Sequence, residues 1–365
     1  MKRVVFGLAV AAMMFLGVFS GPAHAGGYQV GVFYFPGWDS KNVYWNDLKG
    51  LPGSRSPGRA WPEREPLLGF NYAEESVAVA EKHIDWAADY GVSFFAFDWY
   101  WEHGKPKFTH AIDAHLKAKN KDRLKYCIMW ADSPWPATTD SLEEYDKMVD
   151  YCLDHYLQDP QYLTIDGKPV IFVFSPDGTR NFASKFNRTT RDLLDLARAK
   201  AVEKGLTGIY FVASTPAIPV WINKYLPEYG YDAISAYNYR WTAFGGDFHS
   251  DQPLASNYDE IIEGHESQWD WILKNSSLPY ILPITAGWDK RAWGKNSPYD
   301  NCPSTPESFK RMLVAAKARI DDYPDKTMNM AIIYAWNEFG EGGYIEPTKK
   351  WQFQYLQAIK DVFGQ

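Results

Sequence analysis

Two glutamates three residues apart, Glu338 and Glu341, are the most informative feature of this sequence. Hydrolysis of a glycosidic bond typically uses two carboxyl groups, one that protonates the leaving oxygen and one that acts at or near the anomeric carbon. The pair follows an apolar stretch, and the glycines of the segment 336–343 allow a tight turn that could aim both side chains inward. Unlike surroundings would then separate their pKa values into an acid and a base. The alternative is that one or both cap the next helix or face solvent.

The elements that must position this pair alternate regularly along the chain. Short β-branched or aromatic runs alternate with apolar patterns of helical period, which is typical of βα units. The predicted strands are residues 28–35, 92–99, 124–131, 169–174, 208–213, 232–237, 280–285 and 328–336. The predicted helices are residues 74–90, 108–119, 141–157, 189–204, 219–226, 257–274, 306–323 and 352–362. Eight of each predict one domain, residues 26–365, folded as a single (β/α)8 (TIM) barrel.

In such a barrel the active site lies at the C-terminal ends of the strands, where the glutamate pair falls. Six of the eight predicted ends carry aromatic residues beside a carboxylate, an amide or a guanidinium group. The 16 Trp, 24 Tyr and 21 Phe of the chain exceed what a core of branched aliphatic residues uses, and such rings suit the faces of sugars. The predicted substrate-binding residues are Tyr34, Trp38, Asp98, Trp99, Trp101, Trp130, Asp132, Tyr237, Tyr239, Trp288, Asp289, Arg291, Trp336 and Asn337.

Several of these residues have a structural interpretation that the sequence leaves open. Asp98 could bind a sugar hydroxyl, orient a catalytic group or form an ion pair at the barrel rim. Asp289 and Arg291 could pair with each other, or one of them could bind a ligand. For the tryptophans at the strand ends the alternative is core packing beneath the loops.

Cysteine and histidine usage gives no sign of a metal or a cofactor. The three cysteines, Cys127, Cys152 and Cys302, are too few and odd in number for a disulfide framework, although a bridge between Cys152 and Cys302 stays open. No Cys/His cluster has metal-ligand spacing, and no H-E-x-x-H motif is present. No G-x-G-x-x-G follows the first strand, which argues against a dinucleotide-binding sheet.

The first 25 residues have the pattern of a secretory signal peptide. Lys2 and Arg3 precede an apolar run that is short for a membrane span, and residues 23–25 form a small-x-small cleavage site. Cleavage would remove Lys2 and Arg3 but no acidic residue, so the net charge would change from −7 to −9. A negative surface repels phosphate backbones. We therefore expect a secreted or periplasmic protein, with no membrane span after cleavage, whose partner is a polysaccharide or oligosaccharide and not nucleic acid.

Residues 335–347 read A-W-N-E-F-G-E-G-G-Y-I-E-P. They resemble the W-N-E-W-x-E-G-x-x-(I/L)-E-P signature of glycoside hydrolase family 99 and its family-99-like relatives, which include the WbsX-type proteins found with polysaccharide gene clusters. Residues 34–36 are similar to the family's Y-x-P start, residues 91–101 to its second strand, and residues 287–291 to its W-D-N-x-x-R element. The resemblance runs from residue 29 to residue 363.

The resemblance implies a (β/α)8 fold without metal or cofactor and a retaining endo-α-mannosidase reaction through a 1,2-anhydro sugar. Carried over to this chain, Glu341 resembles the general acid/base at the leaving group. Glu338 resembles the carboxylate that assists the 2-hydroxyl of the sugar. Tyr34 and either Tyr237 or Tyr239 would contact the glycan.

The sequence departs from the family pattern at three positions. Ser133 replaces the glutamate of a W-A-N-E-N-W motif that WbsX-type relatives usually carry. Phe339 replaces the second tryptophan of the strand-8 signature, and Gly340 stands where the endomannosidases often have histidine. The resemblance therefore supports the reaction class better than mannose specificity.

Three functions follow as hypotheses. The first is an endo-acting, retaining glycoside hydrolase. Its substrate would be an α-linked polysaccharide or glycan, either one that contains mannose or another. The second is a non-catalytic carbohydrate-binding barrel, which would bind an oligosaccharide and release no product. The third is a polysaccharide-biosynthesis protein of the glycosyltransferase-like WbsX type, against which the signal peptide argues because nucleotide-sugar donors are cytoplasmic.

Overall fold

The computed structural model describes residues 27–41, 43–131, 140–243 and 253–364, and eight parallel strands form its centre. The strands are β1 Gln29–Tyr34, β2 Phe94–Glu102, β3 Lys125–Trp130, β4 Lys168–Val173, β5 Tyr210–Ser214, β6 Ala233–Ser235, β7 Leu282–Thr285 and β8 Met330–Tyr334. Their order is β6-β5-β4-β3-β2-β1-β8-β7. The amide of Ile234 donates to Pro279 O (2.9 Å), and the amide of Ile281 donates to Ile234 O (3.0 Å), so β6 and β7 close the ring. The predicted (β/α)8 barrel is confirmed.

Helices surround this barrel. They are Tyr44–Lys49, Val77–Asp89, His110–Lys117, Leu142–Cys152, Pro176–Lys185, Thr190–Glu203, Leu226–Tyr229, Tyr258–Asn275, Pro306–Asp322, Pro324–Thr327 and Gln354–Phe363. The helix Pro306–Asp322 begins with proline in its first turn and a capping box between Thr305 and Ser308, which fixes its start. The helices Tyr44–Lys49 and Pro176–Lys185 were not predicted because they are short and lie within the βα loops. Predicted helix 219–226 is a π-helical turn, Trp221–Tyr225, that continues into Leu226–Tyr229.

Side chains on each barrel strand alternate between the barrel interior and the helical layer, because successive residues of a strand point to opposite faces. Phe33 of β1 points inward, with its ring centroid 5.6 Å from that of Phe172 on β4. The next residue, Tyr34, packs against Phe95 at 5.3 Å on the outer side. Both faces of the strands are buried, so the strands read as nearly continuous apolar runs.

The same alternation decides what β2 and β3 present to each side. Trp99 points outward, where its indole Nε1 donates to Tyr156 Oη (3.4 Å). Trp101 stacks on Trp99 with a centroid distance of 5.9 Å, and Trp130 packs against Tyr145 at 5.8 Å. These three tryptophans are buried between the barrel and the segment 142–157.

The chain turns back on itself directly after β8. Asn337–Glu338 pairs antiparallel with Gly343–Tyr344, so the strand that was predicted to reach Trp336 ends at Tyr334 and a short hairpin follows. A Cβ atom at Gly343 would lie 2.1 Å from the ring of Tyr334, so only glycine lets this ring pack under the hairpin. The hairpin holds both glutamates over the C-terminal end of the barrel.

The described part of the chain can be examined for membrane-spanning helices and for disulfide bridges. Its helices include none that is both long and apolar enough to cross a membrane. Cys127, Cys152 and Cys302 are all buried free thiols, so the bridge that the sequence left open is not formed. The predicted signal peptide, residues 1–25, lies outside the described residues.

We expect Trp99→Ala to lower the free energy of unfolding by about 3–5 kcal/mol, because it empties a large buried site between barrel and helices. Denaturant unfolding measures this change. Tyr299→Ala is the matched control, since Tyr299 is 44% exposed and its loss should change stability by less than about 0.5 kcal/mol. A Trp99→Ala protein as stable as the control would contradict the placement of Trp99 in the core.

Candidate active site

A cleft of about 450 Å³ opens at the C-terminal ends of the strands, the face at which barrels of this type carry their sites. It contains three carboxyl groups, two cationic side chains and a wall of aromatic rings. Its lining residues are Phe35, Asp98, Tyr100, Met129, Ala131, Phe174, Tyr237, Asn238, Arg240, Trp288, Lys290, Trp293, Glu338 and Glu341. An aromatic pocket with a few convergent charged groups is the usual form of a ligand site.

One tyrosine hydroxyl joins two of the three carboxyl groups. Tyr237 Oη lies 2.8 Å from Asp98 Oδ2 and 3.0 Å from Glu338 Oε1. A phenol has one proton to donate, so both contacts are hydrogen bonds only when one of the two carboxyl groups is protonated and donates to the phenol oxygen. We therefore expect Asp98, Tyr237 and Glu338 to hold two protons among the three groups.

Burial favours the protonated form of these two carboxyl groups. It raises the pKa of Asp98 well above its usual range, and the charge of Glu341 adds to this effect. Burial also raises the pKa of Glu338, as do the charges of Glu341 and Asp98. Asp98 Oδ1 and Glu338 Oε2 are buried without a hydrogen-bond partner among the described residues. These two oxygens therefore retain unused capacity to accept a hydrogen bond.

Glu341 has different surroundings. Tyr334 Oη donates to its Oε2 (2.6 Å), and Lys290 Nζ lies 2.8 Å from its Oε1. The pKa of Tyr334 is raised well above its usual range by burial and by the charges of Glu341 and Glu338, so the phenol remains a donor. One glutamate thus lies beside a cation and the other beside a third carboxyl group, the kind of difference that separates two catalytic roles.

Aromatic and cationic groups alternate along the β7 side of the cleft. Trp288 has the guanidinium carbon of Arg240 4.6 Å from its ring centroid and Lys290 Nζ at 4.9 Å, both within cation–π distance. Trp293 packs on the hairpin, where a Cβ at Gly340 would lie 1.8 Å from its Nε1. A larger residue at position 340 would therefore displace this indole from the cleft wall.

Beneath the cleft, a buried hydrogen-bond network holds the hairpin to the loop after β1. The side chain of Asn337 accepts from the amide of Phe35 and donates to Phe35 O, both at 2.9 Å. It also donates to Glu74 Oε1 (2.7 Å), and Glu74 Oε2 accepts from the amide of Trp38 (2.8 Å). The indole of Trp38 donates to Asn337 O (2.7 Å). Asn337 and Trp38 are fully buried and position the glutamates from below.

The structure brings five of the predicted site residues to the cleft. They are Glu341, Glu338, Asp98, Tyr237 and Trp288. Trp38, Trp336 and Asn337 lie beneath the hairpin instead, each with no exposed surface. Trp99, Trp101 and Trp130 face the helices, because the strand alternation that turns Asp98 inward turns its neighbours outward. Asp132 lies outside the described residues.

Four further predicted residues lie away from the cleft. Tyr34 points out of the barrel and its hydroxyl lies 3.0 Å from His83 Nδ1. Tyr239 is buried, with its hydroxyl 2.8 Å from that of Tyr280, so of the two tyrosines left open only Tyr237 lines the cleft. Asp289 accepts two hydrogen bonds of 2.7 Å from the Arg291 guanidinium, and both residues line a separate pocket of about 250 Å³. The pairing interpretation of these two residues is the one that the structure shows.

Other cleft residues were not among the predicted ones. Tyr100 lies two residues after Asp98 on β2, so the period of the strand was a signal for it. Lys290 and Arg240 follow strands β7 and β6, beside residues that were predicted. Phe174 and Trp293 carried no comparable signal, since the first looks like a core residue and the second lies in a loop. Within the described ranges no three His, Cys, Asp or Glu side chains are placed to hold a metal ion.

Solved structures with the same fold include enzymes that act on glycans. A "Glycoside hydrolase-like protein" matches with a TM-score of 0.65 and 18% identity over 92% of this chain and 94% of its own. The GH99 endo-alpha-mannosidase from Bacteroides thetaiotaomicron matches with a TM-score of 0.60 and 14% identity over 92% and 96%. At these identities the similarity establishes the fold alone, a (β/α)8 barrel like that of the GH99 endo-alpha-mannosidase.

Within that class, the chain belongs to the family described as "Glycosyltransferase WbsX", whose sequence profile matches residues 61–359. This match and the GH99 structure confirm the resemblance to the family-99-like proteins. A curated relative is the uncharacterized protein WxcX of Xanthomonas campestris pv. campestris (strain B100), 24% identical over 90% of this chain and 49% of that protein. The chain thus spans about half the length of this relative.

We expect Asp98→Asn to weaken the pH dependence of stability. Folding raises the pKa of Asp98 and of Glu338, so the folded protein binds more protons than the unfolded chain and its free energy of unfolding falls as pH rises above about 4. The substitution removes one of these groups and the charge that raises the pKa of the other. As pH rises through this window, the free energy of unfolding of the variant should increase relative to that of wild type by up to about 1.4 kcal/mol per pH unit.

Urea unfolding at a series of pH values measures this difference. Asp322→Asn is the control, because Asp322 is exposed and its replacement should leave the wild-type curve unchanged. If the Asp98→Asn curve ran parallel to that of wild type, the shared proton would be contradicted.

Proposed function

We propose that this protein is an exported glycoside hydrolase, retaining and endo-acting, that cleaves an α-linked polysaccharide. The observation that carries this proposal is the pair of glutamates with unlike surroundings in one aromatic cleft. Glu341 contacts the ammonium group of Lys290, whereas Glu338 shares a hydroxyl with Asp98. Family membership and the fold support action on a glycan.

In the proposed reaction Glu338 accepts the proton of the sugar 2-hydroxyl, and the 2-oxygen attacks the anomeric carbon. The bond to the leaving oxygen breaks as Glu341 gives that oxygen a proton. Water then opens the resulting 1,2-anhydro ring, its proton returns to Glu341, and the 2-oxygen recovers its proton from Glu338. Two inversions at the anomeric carbon give net retention. A carboxylate with a raised pKa is a stronger base, which suits Glu338 to its role.

The role of Glu341 places a requirement on Lys290. Glu341 must hold a proton when the glycan is bound, so Lys290 must leave Glu341 Oε1 as the substrate enters. The ring of Trp293, 5.6 Å from Lys290 Nζ, offers an alternative contact for the displaced ammonium group. Substrate entry would in this way prepare the acid.

We expect Glu341→Gln and Glu338→Gln each to lower kcat on the polysaccharide by about 10²- to 10⁴-fold, because each removes a proton transfer. Reducing ends released from a panel of α-linked polysaccharides, identified by mass, measure this loss. An aryl glycoside with a good leaving group, supplied together with azide, should restore activity to the Glu341 variant alone, since its leaving oxygen needs no proton and azide needs no base to open the ring. Glu307→Gln, at an exposed glutamate, is the control. Wild-type turnover by Glu341→Gln would refute the assignment.

The family description supports a second function, transfer of a sugar to a glycan acceptor. A transferase would consume a nucleotide sugar, whereas a hydrolase needs only polysaccharide and water. Incubation of the wild type with GDP-mannose or UDP-glucose plus an acceptor glycan separates the two. Release of nucleoside diphosphate (GDP or UDP) without any reducing ends from the polysaccharide panel would favour the transferase.

The proposal that the protein is exported rests on the signal-peptide pattern of residues 1–25. We expect the mature chain to begin at Gly26, and Ala25→Lys to block cleavage because the site requires a small residue. Mass measurement of the protein recovered from the periplasm or medium checks both expectations. Ala25→Ser keeps a small residue and should be processed normally. A protein that retains residues 1–25 in the cytoplasm would contradict export and strengthen the transferase alternative.

A further inference from the structure

A second depression, called here the distal groove, lies beside the cleft on the same face of the barrel. It has a volume of about 410 Å³, close to that of the cleft, and lies where β4 and β5 end. Its lining includes Phe174 and Asp177 from the β4 side, and Ser214, Thr215 and Trp221 from the β5 side.

The distal groove adjoins the cleft at Phe174. Phe174 lines both, so a chain that leaves the glutamate pair along the β4 side passes over this ring and into the groove. The Phe174 ring packs against Tyr237, which binds Glu338, at a centroid distance of 5.4 Å. The wall between the two spaces is thus part of the catalytic cleft itself.

The chemistry of the distal groove suits a sugar. Trp221 is half-buried, and its ring is held edge-to-face by Tyr225 and Tyr229 at centroid distances of 5.4 and 6.1 Å. The guanidinium carbon of Arg180 lies over this ring, 5.3 Å from its centroid, so a sugar would stack through its C–H face on the opposite face of the indole. Ser214 is 8% exposed, and its Oγ is buried with no hydrogen-bond partner in the described part of the chain. A buried hydroxyl in this state needs a polar partner, which a sugar hydroxyl would supply.

We propose that the distal groove is a sugar-binding subsite, in which Trp221 supplies a stacking surface and Ser214 a hydrogen-bond partner. The substrate is then a polymer whose chain spans the cleft and the groove, not a single terminal sugar. This inference rests on the proposed function and adds the direction in which the glycan leaves the glutamates. Neither residue contacts the reacting bond. Both therefore affect which chains are cleaved and do not take part in the chemical step.

The test compares Trp221→Ala with wild type on a size ladder made by partial acid hydrolysis of whichever panel polysaccharide is cleaved. For long chains, which reach the groove, Trp221→Ala should lower kcat/KM about tenfold, mainly through KM, since one stacking contact is lost. For the shortest cleaved oligosaccharides the two proteins should be equal. Tyr323→Ala, an exposed aromatic after the helix Pro306–Asp322, is the control and should match wild type on all chains.

Two further measurements keep the result interpretable. Trp221→Phe keeps an aromatic ring and should recover most of the activity lost on long chains. A Trp221→Ala protein that fails to fold would lose activity on short chains as well as on long ones. Affinity electrophoresis of Glu341→Gln in gels that contain each panel polysaccharide should show retardation that the added Trp221→Ala substitution reduces. Equal kcat/KM of Trp221→Ala and wild type on long chains, or an equal loss on long and short chains by a Trp221→Ala protein that unfolds in urea like wild type, overturns the subsite. Failure of the wild type to bind or cleave any panel polysaccharide overturns the proposed function, and the subsite with it.

Discussion

The structure depends on one constraint: three carboxyl groups lie together at the buried end of a barrel. Ionised carboxylates are costly to bury unless they are paired or protonated. The chain meets this cost with two tyrosines that rise from the barrel interior, Tyr237 between Asp98 and Glu338, and Tyr334 against Glu341. Lys290 supplies the one cation in contact with a carboxylate of the cleft among the described residues. The tyrosine rings touch each other, 4.8 Å between centroids, so the two units are packed as one.

The hairpin that carries the glutamates needs its own support, because a two-residue ladder is marginal alone. Asn337 binds the loop after β1 and Glu74, and a second buried group adds Tyr72, which donates to Glu346 (2.8 Å). The indole of Trp38 packs against Phe339 at 5.4 Å. These contacts join the first and last barrel strands at the rim. They explain why much of the strand-8 signature is buried and never reaches the cleft.

The cleft and the distal groove together describe a surface for an elongated ligand. Trp288 and Phe174 both line the cleft, and Phe174 also lines the distal groove. The GH99 endo-alpha-mannosidase from Bacteroides thetaiotaomicron shares this fold. The structure also explains the effect of one departure of the sequence from the family-99 pattern. At Gly340 the missing side chain makes room for Trp293, so the cleft wall differs from one in which histidine stands at that position.

The sequence by itself determined the barrel and the position of the glutamate pair. Eight apolar runs with helices between them permit little else, and residues after the last strand must lie at its C-terminal end. The direction of each side chain was only partly accessible. Asp98 and Trp99 are neighbours on one strand, so they cannot face the same side, and strand period alone would have favoured Tyr100 over Trp99. Only the tertiary structure decided that Asn337 and Trp38 lie below the cleft, that the hydroxyl of Tyr237 joins Asp98 to Glu338, and that Lys290 reaches Glu341. These contacts join residues from different strands, whose separation depends on how the whole barrel closes.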